Sequence, residues 1–575
     1  MLTRLVPRLV PLIAHVRSYR VDHLRQDGVA GTVVLFITIP QAIAYAFLAG
    51  LPAEAGLYAA LAGLLGYAVF GSSKVLAVGP TAIIAMMTLE ASRALAADGT
   101  VDPAEVAVKL ALLTGGVLLL LRAVNFGAVI SFLSHAVVTG FMTAAASLIV
   151  INQLPGLLGL TPSPDTSVTS VINHVLTGHS DIDMAALAFG GSAIVALLLA
   201  RTWLPALFAR VAWNGPLADA MVKSAPMFIV VVATLVVAVV GQFDDRASVP
   251  VVGLIPGELP SFALIAPTLQ EARELLPSAL LIAMVVFMES TSIGTAMASR
   301  RRDKIEPNQE LIGLGVANCA AAMIGGFPVA GSFARTIVSQ AAGAVTPIAS
   351  LVTALGLTAT LLWFADLFYY LPQAALAAII VMSASQLIDL SQIKKIFTFN
   401  TTDGVTFACT FLAVLATGVE SGILIGVVIS FVLLIRSSSQ PHIAVVGRVG
   451  DSEHFRNIER HQVRTSPRVL AMRVDESLYF VNTRYIENFL FGRVADQPDL
   501  EHILLICTAT NFIDTSGLEM LEELSDNLES VGVTLHLAEV KGPVMDKLQD
   551  TDFFRRMRGK VFFTTDIAML ELADV

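Results

Sequence analysis

Residues 325–335, GGFPVAGSFAR, interrupt an apolar part of the chain with three glycines and a proline just before an arginine. A similar break lies in residues 75–89, VLAVGPTAIIAMMTL, at Gly79 and Pro80. Fifteen residues make about 22 Å of helix, whereas the hydrocarbon core of a bilayer is about 30 Å thick. Neither segment can cross a membrane as one helix, so each is predicted to contain a half-helix.

The chain around these breaks has the composition of a membrane domain followed by a soluble domain. Of its 575 residues, 55% are hydrophobic and 14% are charged, whereas about 25% are charged in soluble domains. The last 135 positions hold 36 of the 82 charged side chains. We therefore expect an amphipathic cytoplasmic leader at 1–27, a transmembrane transport domain at 28–439 and a soluble cytoplasmic domain at 440–575.

Apolar segments predict fourteen transmembrane spans, numbered here in chain order. The broken segments are spans 3 and 10, seven apart, as two seven-span halves of opposite orientation would place them. The candidate spans are 28–48, 55–70, 75–93, 106–123, 128–151, 184–202, 225–241, 275–298, 308–325, 332–344, 346–364, 372–388, 402–419 and 421–436.

Loop charges indicate the orientation. With a cytoplasmic N-terminus, the cytoplasmic loops follow the even-numbered spans, and these loops carry the basic residues, as the positive-inside rule requires. The loop 152–183, after span 5, contains no Lys or Arg. We expect both termini to be cytoplasmic in a multi-pass protein of the cell membrane, which is the inner membrane if the organism is bacterial. The basic residues are Lys74, Arg122, Arg201, Arg210, those in 300–304, Lys394 and Lys395.

The half-helices suggest anion chemistry. A helix begins with unpaired N–H groups and a partial positive charge, so two such ends near the midplane can hold an anion. Pro80 suits a first helical position and Ser332 an N-cap. Thr81 and Ser332 add hydroxyl donors, and Arg335 adds a permanent positive charge. The alternative is that the glycines serve close packing and that Arg335 pairs with an acid.

A second ionisable group lies deep in span 8. Glu289 follows the ten apolar residues 279–288, and a carboxylate in such surroundings can exchange a proton near neutral pH, which makes it a proton-coupling candidate. It could instead be a structural acid or a counterion to Arg335. In span 1, Pro40 interrupts the helix, and Gln41 and Tyr45, one turn apart, can face the same site. Packing alone would also explain Tyr45.

In order along the chain, these motifs resemble the sulfate permease (SulP) family of anion transporters: PQAIAYA at 40–46, VGPTA at 78–82, ESTSIGTAMA from 289, NQELIGLGVAN at 308–318 and GSFAR at 331–335. The resemblance implies a polytopic α-helical fold with a seven-plus-seven inverted repeat, in which a core of spans 1–4 and 8–11 moves against a gate of spans 5–7 and 12–14, in a homodimer. It places substrate between the starts of spans 3 and 10. The implied substrate-binding residues are Gln41, Tyr45, Thr81, Ala82, Glu289, Ser332, Phe333, Ala334 and Arg335.

Two positions depart from the family pattern. Sodium-coupled bicarbonate members have an Asp where this chain has Glu289 and a Thr one turn later, where this chain has Ile293. Because Ile offers no oxygen to sodium, proton coupling is favoured over sodium coupling. Many relatives have Ser where this chain has Ala334, so one hydroxyl that could contact substrate is absent. The identity of the preferred anion stays open.

The soluble tail alternates strand-like and helical stretches. LAMRVDE, LYFVNT, HILLICTAT and TLHLAEV are predicted strands, and TRYIENFLFGRV, DTSGLEMLEELSDNLES and two closing segments are predicted helices. The tail resembles the α/β sulfate transporter and anti-sigma factor antagonist (STAS) domain of the same family. Its NFIDTSG turn matches the signature loop, which makes Thr515 and Ser516 candidate regulatory hydroxyls and a cytoplasmic protein a candidate partner. Both hydroxyls would equally serve as helix caps.

Two classes of function compete. The first is a secondary active transporter of a small oxyanion, with sulfate leading and bicarbonate or a C4-dicarboxylate as alternatives. The second is a membrane-anchored sensor that acts through the STAS domain. The broken spans favour transport, since an anchor needs no half-helices. No P-loop or enzyme constellation occurs, so a pump and an enzyme are disfavoured.

Other partners and cofactors are not indicated. A net charge of −10 argues against nucleic acid. Cys319, Cys409 and Cys507 are widely spaced, so we expect no disulfide framework, metal site or cofactor.

Overall fold

The computed structural model describes residues 10–17, 19–95, 102–127, 134–163, 165–210, 222, 224–240 and 249–573. The chain divides into two compact units, Met1–Ile429 and Ser430–Val575. Residues 1–9 and 18 of the predicted leader, residues 128–133 of predicted span 5 and residue 241 of predicted span 7 lie outside the described residues.

The first unit is helical, and each of the fourteen candidate spans coincides at least in part with a helix. Eight helices in the described chain are long and apolar enough to cross a membrane by length and composition. The helices of spans 1–14 are Val21–Leu48, Ala53–Phe70, Ala82–Leu95, Pro103–Ala123, His135–Asn152, Met184–Arg210, Ala225–Val240, Leu269–Arg301, Pro307–Met323, Phe333–Ala341, Ile348–Trp363, Gln373–Ser385, Thr401–Thr417 and Val419–Ser439.

Shorter helices connect or precede the spans. They are Pro11–Arg17, Leu154–Leu157, Val168–Thr177 and Leu390–Phe399, with 3-10 turns at His179–Asp181 and Ala365–Phe368. The span 1 helix begins at Val21, before the expected position 28, and Asp27 is fully buried within it. Part of the predicted leader is therefore continuous with the first span.

Spans 3 and 10 are half-helices, as the sequence predicts. Their helices contain 14 and 9 residues, and each follows a two-residue strand: β1, Val78–Gly79, or β2, Ala330–Gly331. The strands pair antiparallel, Val78 with Gly331 and Gly79 with Ala330. A two-fold rotation that superimposes β1 on β2 exchanges these two pairs. The register thus has the symmetry of an inverted repeat.

Small residues bring the core helices together. A Cβ atom on Gly66 of span 2 would lie 2.8 Å from the Ala317 Cα of span 9, and one on Gly115 of span 4 would lie 2.6 Å from the Cys319 Sγ. Such contacts are typical of helices packed in membranes, where backbones approach through small side chains. They hold span 9 against spans 2 and 4.

The second unit is an α/β domain with one mixed sheet of order β4-β3-β5-β6-β7-β8. Strands β5 to β8 are parallel, and β3 is antiparallel to β4 and β5. The strands are β3 Ile443–Arg448, β4 Phe455–Asn457, β5 Val469–Val474, β6 His502–Ile506, β7 Thr534–Ala538 and β8 Val561–Phe562; the helices are α1 Thr483–Asp496, α2 Thr515–Ser530, α3 Gly542–Leu548, α4 Asp552–Arg556 and α5 Thr565–Ala573.

One predicted strand of this domain is wrong. In LYFVNT, residues 478–483, Leu478 forms a single bridge to Ile513, residues 480–482 form a turn and Thr483 begins α1. The side chain of Asn482 accepts a hydrogen bond from the Tyr479 amide and donates one to the Ser477 carbonyl. These local bonds replace the ladder bonds of a strand.

Candidate functional site

The starts of the two half-helices lie close together at the paired strands. The span 10 helix begins at Phe333, and Ser332 is its N-cap, accepting from the Arg335 amide at 3.5 Å. The span 3 helix begins at Ala82, and its first turn is closed by the Ala85 amide donating to the Thr81 carbonyl at 2.9 Å. Thr81 rather than Pro80 therefore stands at the helix boundary, so the prediction of Pro80 as the first helical residue is wrong. The N-cap prediction for Ser332 is confirmed.

Arg335 joins the two halves. Its side chain is 1% exposed, and Nη2 donates to the Pro80 carbonyl at 2.7 Å. Nε and Nη1 are buried and have no partner within the described residues. Arg335 forms no salt bridge with an acid among the described residues, although Glu289 is close enough to interact with it electrostatically. A buried cation with unused donors beside two helix N-termini is an environment that favours an anion.

Glu289 and Ser290 bring span 8 to the same place. Ser290 Oγ accepts from the Gly331 amide at 2.8 Å, which fixes β2 against span 8. Glu289 is 9% exposed, and its Oε2 atom lacks a hydrogen-bond partner in the described part of the chain. Glu289, Tyr45 and Arg335 are close enough to interact electrostatically. The three predicted side chains therefore share one site.

Span 1 contributes two more side chains to the site and contacts span 12, one of the gate spans. Tyr45 and Gln41 are buried, and the Gln41 amide donates to Ser383 Oγ of span 12 at 3.5 Å. Tyr45 also interacts with Ser383. The buried hydroxyl of Thr81 has no partner among the described residues, so it too has hydrogen-bonding capacity for a ligand.

A cavity of about 310 Å³ adjoins this site. Gln41, Ser383, Phe333 and Ala334 line it, and so does Arg201 of span 6. Ala82, at the start of span 3, is buried and is absent from the cavity wall. A small anion could reach the half-helix ends through this opening.

Sequence reasoning missed three residues that build the site. Ser383, Ser290 and Thr336 each donate or accept a hydrogen bond there, Thr336 through its hydroxyl, which accepts from the Ala77 amide at 3.1 Å. Ser290 and Thr336 adjoin Glu289 and Arg335 in sequence, which was an available signal. Nothing local distinguishes Ser383, because its role depends on span 12 packing beside span 1.

The candidate regulatory hydroxyls lie at the start of α2. Asp514 is the N-cap, accepting from the Gly517 amide at 2.8 Å, and its other oxygen accepts from the Phe480 amide. Thr515 is exposed and Ser516 is half-buried. Because Asp514 performs the capping, the Thr515 hydroxyl is accessible.

Comparison with known proteins bears on both units. The family model described as "Sulfate permease family" matches residues 24–410, and the model described as "STAS domain" matches residues 460–568. The chain belongs to the sulfate permease family. The family consists of transporters rather than enzymes, and its members are multi-pass integral membrane proteins.

Several relatives are similar over nearly the whole of this chain. A probable sulfate transporter 4.2 of Arabidopsis thaliana is 32% identical over 561 residues, covering 94% of this chain and 80% of its own. A probable sulfate transporter of Mycobacterium tuberculosis is 30% identical over 558 residues, covering 96% of each chain.

Solved structures share the fold. The murine Solute Carrier 26 family member A9 anion transporter, in an inward-facing state, has a TM-score of 0.88 at 24% identity and covers 98% of this chain and 94% of its own. The transmembrane domain of the cyanobacterial bicarbonate transporter BicA has a TM-score of 0.60 at 20% identity, covering 72% of this chain and 98% of its own. This sulfate permease family member thus has a helical transmembrane core and a C-terminal STAS domain.

Proposed function

We propose that this protein is a secondary active transporter of a small oxyanion, with sulfate as its leading substrate. The observation that carries the proposal is Arg335, a buried guanidinium with unused donors at the meeting point of two helix N-termini. Leaving such a charge uncompensated is costly, and a bound anion would compensate it. Relatives named as sulfate transporters, together covering most of the chain, support sulfate over other oxyanions.

The mechanism that we infer is alternating access. The anion would bind between spans 3 and 10 of the core, with Gln41, Tyr45 and Thr81 as neutral ligands. The Gln41–Ser383 contact joins core span 1 to gate span 12. Movement of the core against the gate would break this contact while Arg335, Pro80 and the strand pair move together as one body.

We further propose that transport is coupled to protons through Glu289. An ionised Glu289 beside a bound anion would place two negative charges in a dry site, where they repel. A proton on Glu289 removes that repulsion, so proton and anion would bind cooperatively. Ile293, a 6% exposed hydrocarbon one turn later, offers no oxygen to a sodium ion.

The substrate is tested by uptake of labelled sulfate into liposomes that contain the purified protein, with bicarbonate, fumarate and chloride as competitors. Arg335→Ala should weaken sulfate binding by about 1.5–3 kcal/mol, the value of a lost charge-assisted hydrogen bond. Arg335→Lys, which keeps the charge, should lose less. Unchanged sulfate affinity in a folded Arg335→Ala protein would remove Arg335 from the site, and absence of oxyanion uptake by the wild type would reject the function.

Coupling is tested with imposed gradients. Glu289→Gln resembles the protonated side chain, so it should bind sulfate but lose acceleration by an inward proton gradient. Glu310→Gln is a matched control, because Glu310 is likewise a buried acid of the core but its carboxylate accepts hydrogen bonds from Tyr67 and Ser72. This variant should lose stability and retain proton coupling. Sodium-dependent uptake that is indifferent to pH would contradict the mechanism.

A further inference from the structure

Two cavities lie along the seam between core and gate. The larger, about 310 Å³, is lined by Gln41 of span 1 and Ser383 of span 12. The smaller, about 180 Å³, is lined by Phe47 and Leu48 at the end of span 1 and by Gln373 at the start of span 12. Spans 1 and 12 therefore contribute to both cavities, but with different ends.

The two cavities lie toward opposite sides of the membrane. Going from the larger cavity to the smaller one means moving forward along span 1, from Gln41 to Phe47, and backward along span 12, from Ser383 to Gln373. The neighbouring spans agree, since the smaller cavity includes Gln153, just after the odd-numbered span 5, whereas the larger includes residues near the end of the even-numbered span 6.

Among the described residues, each cavity has one arginine in its wall. Arg201, in span 6, lines the larger cavity and its side chain is exposed. Arg93, in the last turn of span 3, lines the smaller cavity. Its Nη2 donates to the Ser163 carbonyl at 3.1 Å, and its buried Nη1 has no partner in the part of the chain that is described. Arg93 lies at the opposite end of the span 3 helix from its start, whereas Arg201 shares the wall of its cavity with Phe333 and Ala334 at the start of the span 10 helix.

We propose that Arg201 and Arg93 are peripheral binding stations for small oxyanions, one on each side of the central site. The proposal rests on the transport function proposed above. A fixed positive charge in a narrow opening raises the local anion concentration and the rate at which anions reach a buried site. The station on the releasing side would receive the anion after the core has moved.

The two stations differ in strength. Glu90 and Asp165 interact electrostatically with Arg93 and partly offset its charge. Arg201 is exposed, so dissolved salt screens it more strongly. We therefore expect the larger effect at low ionic strength from Arg201, and a smaller effect that depends less on salt from Arg93.

The test uses the full-length protein in liposomes of one fixed orientation, with sulfate uptake measured separately from each side. Arg201→Gln should raise the KM for sulfate at least about threefold from the side of the larger cavity, with kcat from that side and the opposite-side KM unchanged. Because equal concentrations on the two sides must give no net flux, kcat from the opposite side should fall in the same proportion. It should also flatten the dependence of uptake on ionic strength. Arg93→Gln should raise the KM from the other side only. Substitution by lysine at either position should leave the KM for sulfate close to the wild-type value, because the positive charge is kept.

Arg122→Gln removes a cation that lines neither cavity, so it controls for general surface charge. A KM change from both sides, or an equal loss in the lysine and glutamine variants, would show a structural role and overturn the proposal. Unchanged kinetics in both glutamine variants, beside normal wild-type transport, would overturn it as well. Wild-type protein without oxyanion transport would instead reject the underlying function.

Discussion

At the scale of single residues, Gly79 contributes to the site because its missing side chain leaves room for the Arg335 guanidinium. A Cβ atom at this position would lie 3.1 Å from both Nη1 and Nη2 of Arg335, tighter than ordinary contacts. Because Gly79 also pairs with Ala330 in the strand ladder, its backbone cannot withdraw freely. Glycine here lets the guanidinium lie directly on the strand pair.

We predict that Gly79→Ala displaces the Arg335 side chain and weakens sulfate binding while the protein still folds. Gly191→Ala is the matched control, because no atom lies within 4 Å of a Cβ there. The measurements are the sulfate affinity and the thermal stability of the two purified variants. Equal sulfate affinities would mean that the Arg335 guanidinium moves without weakening binding, which would contradict the prediction.

Several site residues could be predicted from sequence, and the reason is local. The Gly and Pro breaks, the Ser332 cap and the position of Arg335 within one turn of it all depend on neighbours in the chain. Ser383 could not be predicted, since its partner Gln41 is 342 positions away. The use of Thr81 instead of Pro80 at the helix start depends on the pairing of β1 with β2, which is also distant in sequence.

His536, in the soluble domain, is a residue whose ionisation opposes folding. Its Nδ1 accepts from the Lys560 amide at 3.0 Å, and its Nε2 lies 3.3 Å from His502 Nδ1. Burial, with His502 and Lys560 nearby, lowers the pKa of His536 to about 4. A proton on Nδ1 would face the Lys560 N–H and break the bond that connects β7 to the segment leading into β8.

Stability of the soluble domain should therefore fall as the pH is lowered from 6.5 towards 4. In this range the unfolded chain, whose histidine has a pKa near 6.5, binds more protons than the folded one. His536→Gln can make both hydrogen bonds without titrating, so its loss of stability over the same range should be smaller. The measurement is the thermal unfolding midpoint as a function of pH for wild type, His536→Gln and the exposed-site control His461→Gln. Parallel dependence of the midpoint on pH in all three proteins would contradict the prediction.

Among elements, the loop between spans 10 and 11 is held by the start of span 1. Asp27 Oδ1 accepts from the Val345 amide at 2.7 Å and the Thr346 amide at 3.1 Å, and Oδ2 accepts from the Thr346 hydroxyl at 2.6 Å. Arg301, at the end of span 8, donates to the carbonyls of the same loop. The far end of half-helix 10 is thus fixed to two other core spans.

Asp27→Asn should destabilise the membrane unit by about 1–3 kcal/mol, because an amide NH2 would face donors that are buried. Asp22→Asn, five residues earlier in the same helix and exposed, is the control and should change stability much less. The measurement is the thermal unfolding midpoint in detergent. If the two variants unfold alike, the Asp27 network contributes nothing to holding the loop.

The element-level predictions succeed where the pattern is long and fail where it is short. Apolar runs long enough to cross the hydrocarbon core identify spans, because a helix that crosses a bilayer must be apolar over that length. The LYFVNT segment has the composition of a strand, but the Asn482 side chain satisfies its backbone locally. Short strands such as β4 and β8 carry little pattern of their own and exist through the strands beside them.

For the whole molecule, the division into two units follows from their separate cores. One apolar core extends through the spans and includes Ile43, Ile84 and Leu314. The helices and strands of the soluble domain enclose others, which include Leu505 and Leu524 on one face of its sheet. The residues proposed to bind the anion all belong to the first unit, so substrate choice should not need the second.

Removing residues 440–575 should leave the order of preference among sulfate, bicarbonate and fumarate unchanged, while the amount of protein or its turnover changes. The truncated chain keeps all fourteen span helices through Ser439. If truncation prevents folding, Leu524→Ala offers a milder test, since it creates a cavity at a fully buried position and should cost about 2–5 kcal/mol in that domain alone. Arg335→Ala in the same background should still abolish high-affinity uptake. A folded truncated or Leu524→Ala protein with a different anion preference would show that the soluble domain takes part in substrate selection.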